Sequence, residues 1–199
     1  MTNILFKMIE EFWKSGSDKQ SYHNYCVAYY KFLKNIEVSS ILEIGVLRGE
    51  SLRAWSKIYP NAEIHGIDIV SSLLFEEGNI KTFLVDQSSP ESLNQFLIET
   101  DNKKYDFILD DGSHVFEHAK TSFEVLFDSL KNNGVYLIED VVKVSNGWQQ
   151  TIIDWHEFLE TIPNIKYEII DCHFGQKPIP VLDSALGDSC VIAIIKVRD

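Results

Sequence analysis

Acidic side chains stand at or near the ends of successive apolar runs in this 199-residue sequence. They are Glu43, Asp68, Asp86, the pair Asp110-Asp111 and the pair Glu139-Asp140. The carboxyl ends of parallel strands line one crevice of an open α/β sheet, and the ligands of such sheets bind there. The positions of these acids therefore predict that their carboxylates converge on one binding site.

The turn after the first apolar run, from Gly45 to Gly49, has the pattern G-x-x-x-G. Its glycines permit a tight turn and a close approach of a ligand to the backbone. The turn lacks the G-x-G-x-x-G pattern of dinucleotide sites, and the adjacent Glu43 suits an ammonium or sulfonium group better than a pyrophosphate. Asp68, about 20 residues further on, stands where nucleotide-binding folds place the acid that binds ribose. Together they indicate a nucleotide-type site.

The elements that must position these residues are seven short apolar runs separated by amphipathic stretches, an alternation typical of βαβ units. The runs are Ser40–Gly45, Glu63–Asp68, Lys81–Asp86, Tyr105–Asp110, Val135–Asp140, Lys166–Asp171 and Cys190–Val197. Their Ile, Val and Leu content suits parallel strands that are covered on both faces. A link with Gly and Pro, Gly175 to Pro180, suits an antiparallel return of the last run. We predict a doubly wound α/β fold with a mostly parallel, seven-stranded sheet.

The first 34 residues predict helices that pack on this core. Apolar residues recur at helical spacing from Ile4 to Trp13, with charged residues between them. After the polar stretch Ser15–Lys19, a second segment from Tyr22 to Leu33 carries aromatic residues that suit core packing. We expect residues 1–34 to form an N-terminal helical segment and residues 35–199 to form the main domain.

Composition limits the partners and the compartment. The formal net charge of −12 repels phosphate backbones and anionic lipids, so we expect neither nucleic acid nor membrane as a partner. The three cysteines form no CxxC pair, which suits a reducing compartment. We see no signal-peptide pattern and no run of membrane-spanning length, and we therefore expect a cytoplasmic protein. The sequence does not determine the oligomeric state, and a homo-oligomer is one alternative.

Three segments of this sequence resemble the class I methyltransferases. Glu43–Gly49 resembles their motif I, Asp68 resembles the acid that binds ribose, and Asp86-Gln87 resembles the acid on the adenine side. The resemblance covers residues 35–199 and implies a Rossmann-like methyltransferase fold that binds S-adenosylmethionine. The cofactor-binding residues that it implies are Glu43, Gly45, Gly49, Asp68, Asp86, Gln87 and Asp110.

Three further segments resemble the metal-dependent sugar O-methyltransferases of macrolide biosynthesis, of the macrocin and mycinamicin type. They are Ser15–Lys19 with His23 and Tyr25, Asp110–His114, and Ile138–Asp140. The resemblance implies that Asp111, Glu139 and Asp140 bind a divalent ion and that His114 is the catalytic base. It also implies an acceptor hydroxyl on a sugar or glycosylated small molecule. Val141–Trp148 departs from the family pattern, so the sequence leaves the acceptor open.

The residues themselves fit this chemistry. Three carboxylates at adjacent strand ends repel one another and need a cation or protons to compensate them. Oxygen ligands favour Mg²⁺ or Mn²⁺, and a histidine with a reference pKa of about 6.5 can accept a proton near neutral pH. The alternative is that these acids cap the following helices or are solvated, and that His114 is an incidental loop residue.

Other functions use parts of the same pattern. His114 to His118 matches the H-x-x-E-H string of a zinc protease family, but it follows a strand through Asp-Gly-Ser, and we interpret His118 as a helix-surface residue. A nicotinamide-dependent oxidoreductase would need the dinucleotide turn. A non-catalytic adenosylmethionine-binding protein is a further alternative, against which the intact Asp111 and His114 argue.

Overall fold

The computed structural model describes residues 4–143, 147–172 and 190–197. It contains an eight-stranded sheet with the strand order β3-β4-β2-β1-β5-β6-β8-β7. The strands are β1 (Ser40–Ile44), β2 (Glu63–Asp68), β3 (Glu76–Glu77), β4 (Ile80–Leu84), β5 (Tyr105–Asp110), β6 (Leu130–Val141), β7 (Ile165–Asp171) and β8 (Cys190–Lys196). The helices are α1 (Ile4–Ser15), α2 (Asp18–Ser21), α3 (Cys26–Leu33), α4 (Glu50–Ile58), α5 (Pro90–Glu99), α6 (Phe116–Leu126) and α7 (Ile152–Leu159).

The predicted doubly wound, mostly parallel sheet is confirmed. Strands β4, β2, β1, β5 and β6 pair in parallel, whereas β8 runs antiparallel to both β6 and β7. The carboxyl ends of the parallel strands therefore meet at one edge of the sheet. The predicted return of the last strand is present, although the link from Gly175 to Pro180 lies outside the described residues.

The sheet has eight strands, one more than the seven predicted, because the sequence of β3 has no apolar pattern. It consists of two exposed glutamates that pair with β4 across a turn at Gly78, where φ is 60°. Strand β6 also begins at Leu130, earlier than the predicted Val135, and its pairing with β5 is irregular in this added part. Neither difference alters the edge at which the acidic residues meet.

Apolar side chains cover both faces of the sheet. On one face, Phe12 of α1 packs edge-on against Trp55 of α4, with ring centroids 4.8 Å apart. Tyr29 of α3 and Phe107 of β5 belong to the same buried cluster. A second cluster on the other face joins α5, α6 and α7 to the sheet and contains Phe123. The strands alternate between these clusters, which explains why their sequences are apolar throughout.

The N-terminal segment forms helices, as predicted, but its second part is divided. Ser17 caps α2 by accepting a hydrogen bond from the amide of Lys19, and Asn24 has a left-handed φ of 58° before α3 begins. This division places α2 over the carboxyl edge of the sheet, where its Lys19 contacts Asp111 and Glu139. In the part of the chain that the structure describes, no helix combines the length and apolar character needed to cross a membrane.

Candidate active site

The loop between β1 and α4 lies against the loop that follows β5. Gly45 has a φ of 94°, and a Cβ atom added to it would lie 2.2 Å from the carbonyl oxygen of Asp111. Only glycine fits this conformation and this spacing without displacing backbone. Gly49 lies at the start of α4 in a left-handed conformation. The predicted glycine turn thus brings two loops of the strand edge into contact.

Asp68 at the end of β2 holds the first loop in place. Its carboxylate accepts hydrogen bonds from the amides of Val46 at 2.9 Å and Leu47 at 3.2 Å. Its other oxygen accepts the amide of Val70 at 2.9 Å. Three amide bonds to one carboxylate orient it without a side-chain cation, so its oxygens face the cleft in a fixed position.

Asp110 and Gln87 shape the second loop from behind. Asp110 is buried, and it accepts hydrogen bonds from the hydroxyl of Ser122 at 2.7 Å and from the amide group of Gln87 at 3.2 Å. Burial raises the pKa of Asp110, while these two hydrogen bonds oppose the rise. The side-chain oxygen of Gln87 accepts a hydrogen bond from the backbone amide of Ser113 at 2.7 Å. A Cβ atom added to Gly112 would lie 2.1 Å from the same oxygen.

Two adjoining cavities open between these loops. The larger has a volume of about 580 Å³ and the smaller about 300 Å³, which is the size range of cofactor sites. Gly45, Asp68 and Gly112 border both cavities. Asp86, whose carboxylate accepts two hydrogen bonds from Ser88, lies on the smaller cavity. Those bonds lower the pKa of Asp86.

A buried lysine lies at the back of the larger cavity. Lys19 of α2 is 1% exposed, and its ammonium contacts the carboxylate of Asp111 and lies 2.5 Å from Glu139. It is 3.9 Å from Glu43. Burial alone would lower the pKa of Lys19, but the three negative charges outweigh it and raise that pKa well above its usual value. The ammonium is therefore a permanent positive charge inside the acidic cluster.

The two innermost acids are held by hydroxyl groups as well. Glu139 is fully buried and accepts a hydrogen bond from the hydroxyl of Tyr29. Burial raises the pKa of Glu139 well above its usual value, and Lys19 opposes that rise. Glu43 accepts the hydroxyl of Ser51 at 2.8 Å, and burial raises the pKa of Glu43 to about 7.

Asp140 and His114 face each other nearer to the opening. The pairing of β6 with β8 is irregular between Ile138 and Val141, and Asp140 has a left-handed φ of 52° there. His114 has a φ of 56°. Left-handed conformations are uncommon for residues other than glycine and concentrate at functional sites. The irregularity turns the carboxylate of Asp140 toward the cleft, where it accepts the hydroxyl of Tyr25 at 2.5 Å.

These residues form a group that can hold a metal ion. One ligand atom each from Asp111, His114 and Asp140 lies within 4.8 Å of the others. The Nε2 atom of His114 is 3.5 Å from Asp140, and its Nδ1 atom is buried without a hydrogen-bond partner in the described chain. Burial raises the pKa of Asp140, the charge of Asp111 adds to the rise, and His114 opposes it.

The structure brings most of the predicted site residues to the two cavities. The larger is bordered by Glu43, Gly45, Asp68, Asp111, His114 and Asp140, and the smaller by Asp86 and Gln87. Gly49, Asp110 and Glu139 are not among the described residues that border either cavity. His118, which we predicted to lie on a helix surface, is a partly exposed residue of α6 that borders the smaller cavity and forms a hydrogen bond with Ser113 at 3.1 Å.

Sequence reasoning assigned no role to Lys19, Tyr25 or Tyr29, whose polar atoms reach the acidic cluster. Lys19 stands in a polar stretch and looks solvated, and the tyrosines look like core residues. The only signal was that Lys19 and Tyr25 belong to the segments that resemble the sugar O-methyltransferases. The departing segment Val141–Trp148 is described only in part, because residues 144–146 lie outside the described chain.

Comparison with known proteins places this geometry in a family. A family model described as "Methyltransferase domain" matches residues 42–141, half of the chain. The 8-demethyl-8-alpha-L-rhamnosyl tetracenomycin-C 2'-O-methyltransferase of Streptomyces olivaceus is 32% identical over 137 residues, which are 64% of this chain and 36% of that protein. The mycinamicin VI 2''-O-methyltransferase of Micromonospora griseorubida is 35% identical over 120 residues, 57% of this chain and 29% of that protein. The chain thus spans about a third of the length of these relatives.

Solved structures show the same fold. The MycE methyltransferase of the mycinamycin pathway, determined with Mg and SAH, has a TM-score of 0.76 and 24% identity, and the match covers 96% of this chain and 55% of that one. The plantazolicin methyltransferase BpumL in complex with SAH has a TM-score of 0.60 and 18% identity, covering 99% and 86%. The predicted Rossmann-like methyltransferase fold is therefore confirmed.

Proposed function

This chain belongs to the methyltransferase domain family, and we propose that it transfers the methyl group of S-adenosylmethionine to a hydroxyl of a sugar or glycosylated small molecule, in a reaction that depends on a divalent metal ion. The observation that carries the proposal is the placement of Asp111, His114 and Asp140. Their ligand atoms lie within 4.8 Å of one another, on the wall of the cavity that Gly45 and Asp68 also border.

The two cavities support binding of the methyl donor. Gly45 borders both cavities, and Asp68, which also borders both, can accept hydrogen bonds from ribose hydroxyls. Asp86 and Gln87 border the smaller cavity, where we place the adenine. Glu43 borders the larger cavity, where we place the charged amino acid portion of the donor. Gly49 and Asp110 would act indirectly, by shaping the two loops.

The residues present fit a hard divalent ion. Asp111 and Asp140 offer carboxylate oxygens at the opening of the acidic cluster, and Mg²⁺ or Mn²⁺ prefers such ligands. The predicted third ligand, Glu139, lies behind Lys19 and remains a prediction. Such an ion supplies Lewis acidity, which makes a coordinated hydroxyl easier to deprotonate.

His114 is the residue that we assign to proton removal. Its Nε2 atom lies at the opening beside Asp140, within reach of a hydroxyl that binds next to the carboxylates. The acceptor oxygen attacks the methyl carbon, the carbon–sulfur bond breaks, the sulfur leaves as a neutral thioether, and the hydroxyl proton passes to His114. Asp140 then stabilises the imidazolium, because a carboxylate nearby favours the charged form.

Relatives support a sugar hydroxyl as the acceptor. The names of the two curated relatives are those of O-methyltransferases of a rhamnosyl tetracenomycin and of mycinamicin VI. The first of these names specifies a rhamnosyl group, and the site segments of this chain resemble the sugar O-methyltransferases. Because the matched length is only part of each relative, the acceptor must be tested directly.

Two measurements test the proposal on the purified chain. Calorimetric titration should show binding of S-adenosylmethionine and of its demethylated product but no binding of NAD⁺. Transfer of labelled methyl groups to a panel of rhamnosylated polyketides and glycosylated macrolides should require Mg²⁺ or Mn²⁺ and stop after exhaustive chelation. Binding of NAD⁺ in place of the methyl donor, or full transfer activity in the chelated protein, would contradict the proposal.

A further inference from the structure

Gln150 joins the loop that carries His114 to the end of β6. It is 1% exposed, and its polar atoms are used in four directions. Its backbone amide donates to the carbonyl oxygen of His114 at 2.8 Å, and its own carbonyl accepts the amide of Val142 at 3.0 Å. Its side-chain nitrogen donates to the carbonyl oxygen of Glu139 at 2.7 Å. Its side-chain oxygen accepts the indole N–H of Trp155 at 2.9 Å.

These bonds hold the backbone on both sides of Asp140. Glu139 precedes Asp140 and Val142 follows it, so Gln150 fixes both flanks of the irregular end of β6. Asp140 and His114 have left-handed φ angles of 52° and 56°. Strained conformations of this kind persist only where the surrounding contacts impose them. Because Gln150 bonds to the backbone of both segments, it fixes the two strained residues relative to each other.

The start of α7 fixes the position of Gln150 in turn. The next residue, Thr151, caps α7 in a reciprocal arrangement with Asp154, in which each accepts the backbone amide of the other at 3.1 Å. Trp155 is fully buried, and its ring packs edge-on against Phe116 at the start of α6, with centroids 5.3 Å apart. Helix α7 is thereby tied to the helix that the base-carrying loop enters.

We propose that Gln150 is a positioning residue, which holds the imidazole of His114 and the carboxylate of Asp140 at the spacing that removal of the acceptor proton requires. The inference rests on the proposed metal-dependent transfer. Gln150 is not among the described residues that border either cavity, so it acts through the two residues that it joins. It contacts Glu139 at the backbone, and the carboxylate of Glu139 remains a predicted metal ligand.

The variant Gln150→Met tests this role, because it keeps the size of the side chain and removes both of its hydrogen bonds. The carbonyl of Glu139 and the indole of Trp155 then lose their partner. We expect kcat, measured with the panel acceptor that the unmodified chain methylates fastest, to fall by roughly 10–100-fold, the size of effect that misplacement by about 1 Å produces. The Kd of SAH, measured by calorimetry, should change less than about twofold, since the loop after β1 is not among the contacts of Gln150.

Asn79→Leu is the matched control, because Asn79 makes the same kind of bonds just before β4, at the opposite edge of the sheet. Its side-chain nitrogen donates to the carbonyl oxygen of Ala62 at 2.6 Å, and its oxygen accepts the hydroxyl of Ser56 at 2.5 Å. Both variants leave buried polar groups without partners, so Tm should fall by roughly 2–12 °C in each. Only Gln150→Met should lose turnover. Unchanged kcat in folded Gln150→Met, or an equal loss of kcat in Asn79→Leu, would overturn the proposal.

Hydrogen exchange on the unmodified chain covers the case in which Gln150→Met does not fold. The backbone amides of Gln150 and Val142 should exchange as slowly as the central amides of β5, because both are bonded across the junction. Exchange of both amides at the rate of an unprotected peptide would overturn the proposal. Protected amides in a chain that transfers no methyl group would instead contradict the proposed function, and with it the positioning role, while leaving the contact itself established.

Discussion

Replacing Gly45 with alanine tests the contact between the two loops that form the cleft. Gly45 has a φ of 94°, and the added Cβ would lie 2.2 Å from the carbonyl oxygen of Asp111. The left-handed conformation costs a residue with a side chain about 1–2 kcal/mol. The clash meets backbone rather than a flexible side chain, and overpacking of this kind costs about 1–3 kcal/mol more.

These two costs give a loss of about 2–5 kcal/mol in the free energy of unfolding. A chain of this size loses about 2–4 °C of Tm for each kcal/mol, so we expect Tm to fall by roughly 4–20 °C. The affinity for the demethylated product should fall as well, because the same loop borders both cavities. Thermal unfolding followed by circular dichroism and calorimetric titration measure the two effects.

Gly78→Ala is the matched control, since it has the conformational cost without the clash. Gly78 has a φ of 60°, and a Cβ added there would meet nothing within 4 Å. We expect its Tm to fall by roughly 2–8 °C and its product affinity to stay unchanged. If Gly45→Ala were no less stable than Gly78→Ala and bound the product equally well, the close approach of the two loops would not exist in solution.

Three further results are expected. His114→Ala should lower turnover by roughly 10²–10⁴-fold and leave the affinities for donor and metal nearly unchanged. His156 is exposed, and His156→Ala should keep full turnover. Loss of metal binding in His114→Ala would instead make His114 a metal ligand. Asp140→Asn should abolish the Mg²⁺ dependence of transfer together with most of the activity, and Asp128→Asn, which is exposed, should not. Burial lowers the pKa of His65, against the opposing charge of Glu63, so the unfolded chain binds its proton more readily. Stability should therefore fall as pH drops below about 6.5, and His65→Gln should flatten that part of the Tm profile; an unchanged profile would contradict this cause.

The sequence alone determined the fold class and the edge of the sheet that carries the site. Apolar runs such as Tyr105–Asp110 must be buried on both faces, and only a sheet between two helical layers does this. Asp68 ends one of these runs, and the carboxyl ends of parallel strands meet at one edge of the sheet, so its position in the sequence places it at the ligand-binding edge. Both inferences depend only on residues that are close to one another in the sequence.

Only the tertiary structure decided that Glu43 and Glu139 are buried whereas Asp111 and Asp140 remain partly exposed. Lys19 and Glu139 are 120 residues apart, and nothing in the polar stretch around Lys19 indicates burial. The irregularity in β6 that turns Asp140 toward the cleft depends on its pairing with β8, near the end of the chain. Burial and charge compensation are set by contacts between distant segments, so local sequence patterns place the residues at the site but leave their partners undetermined.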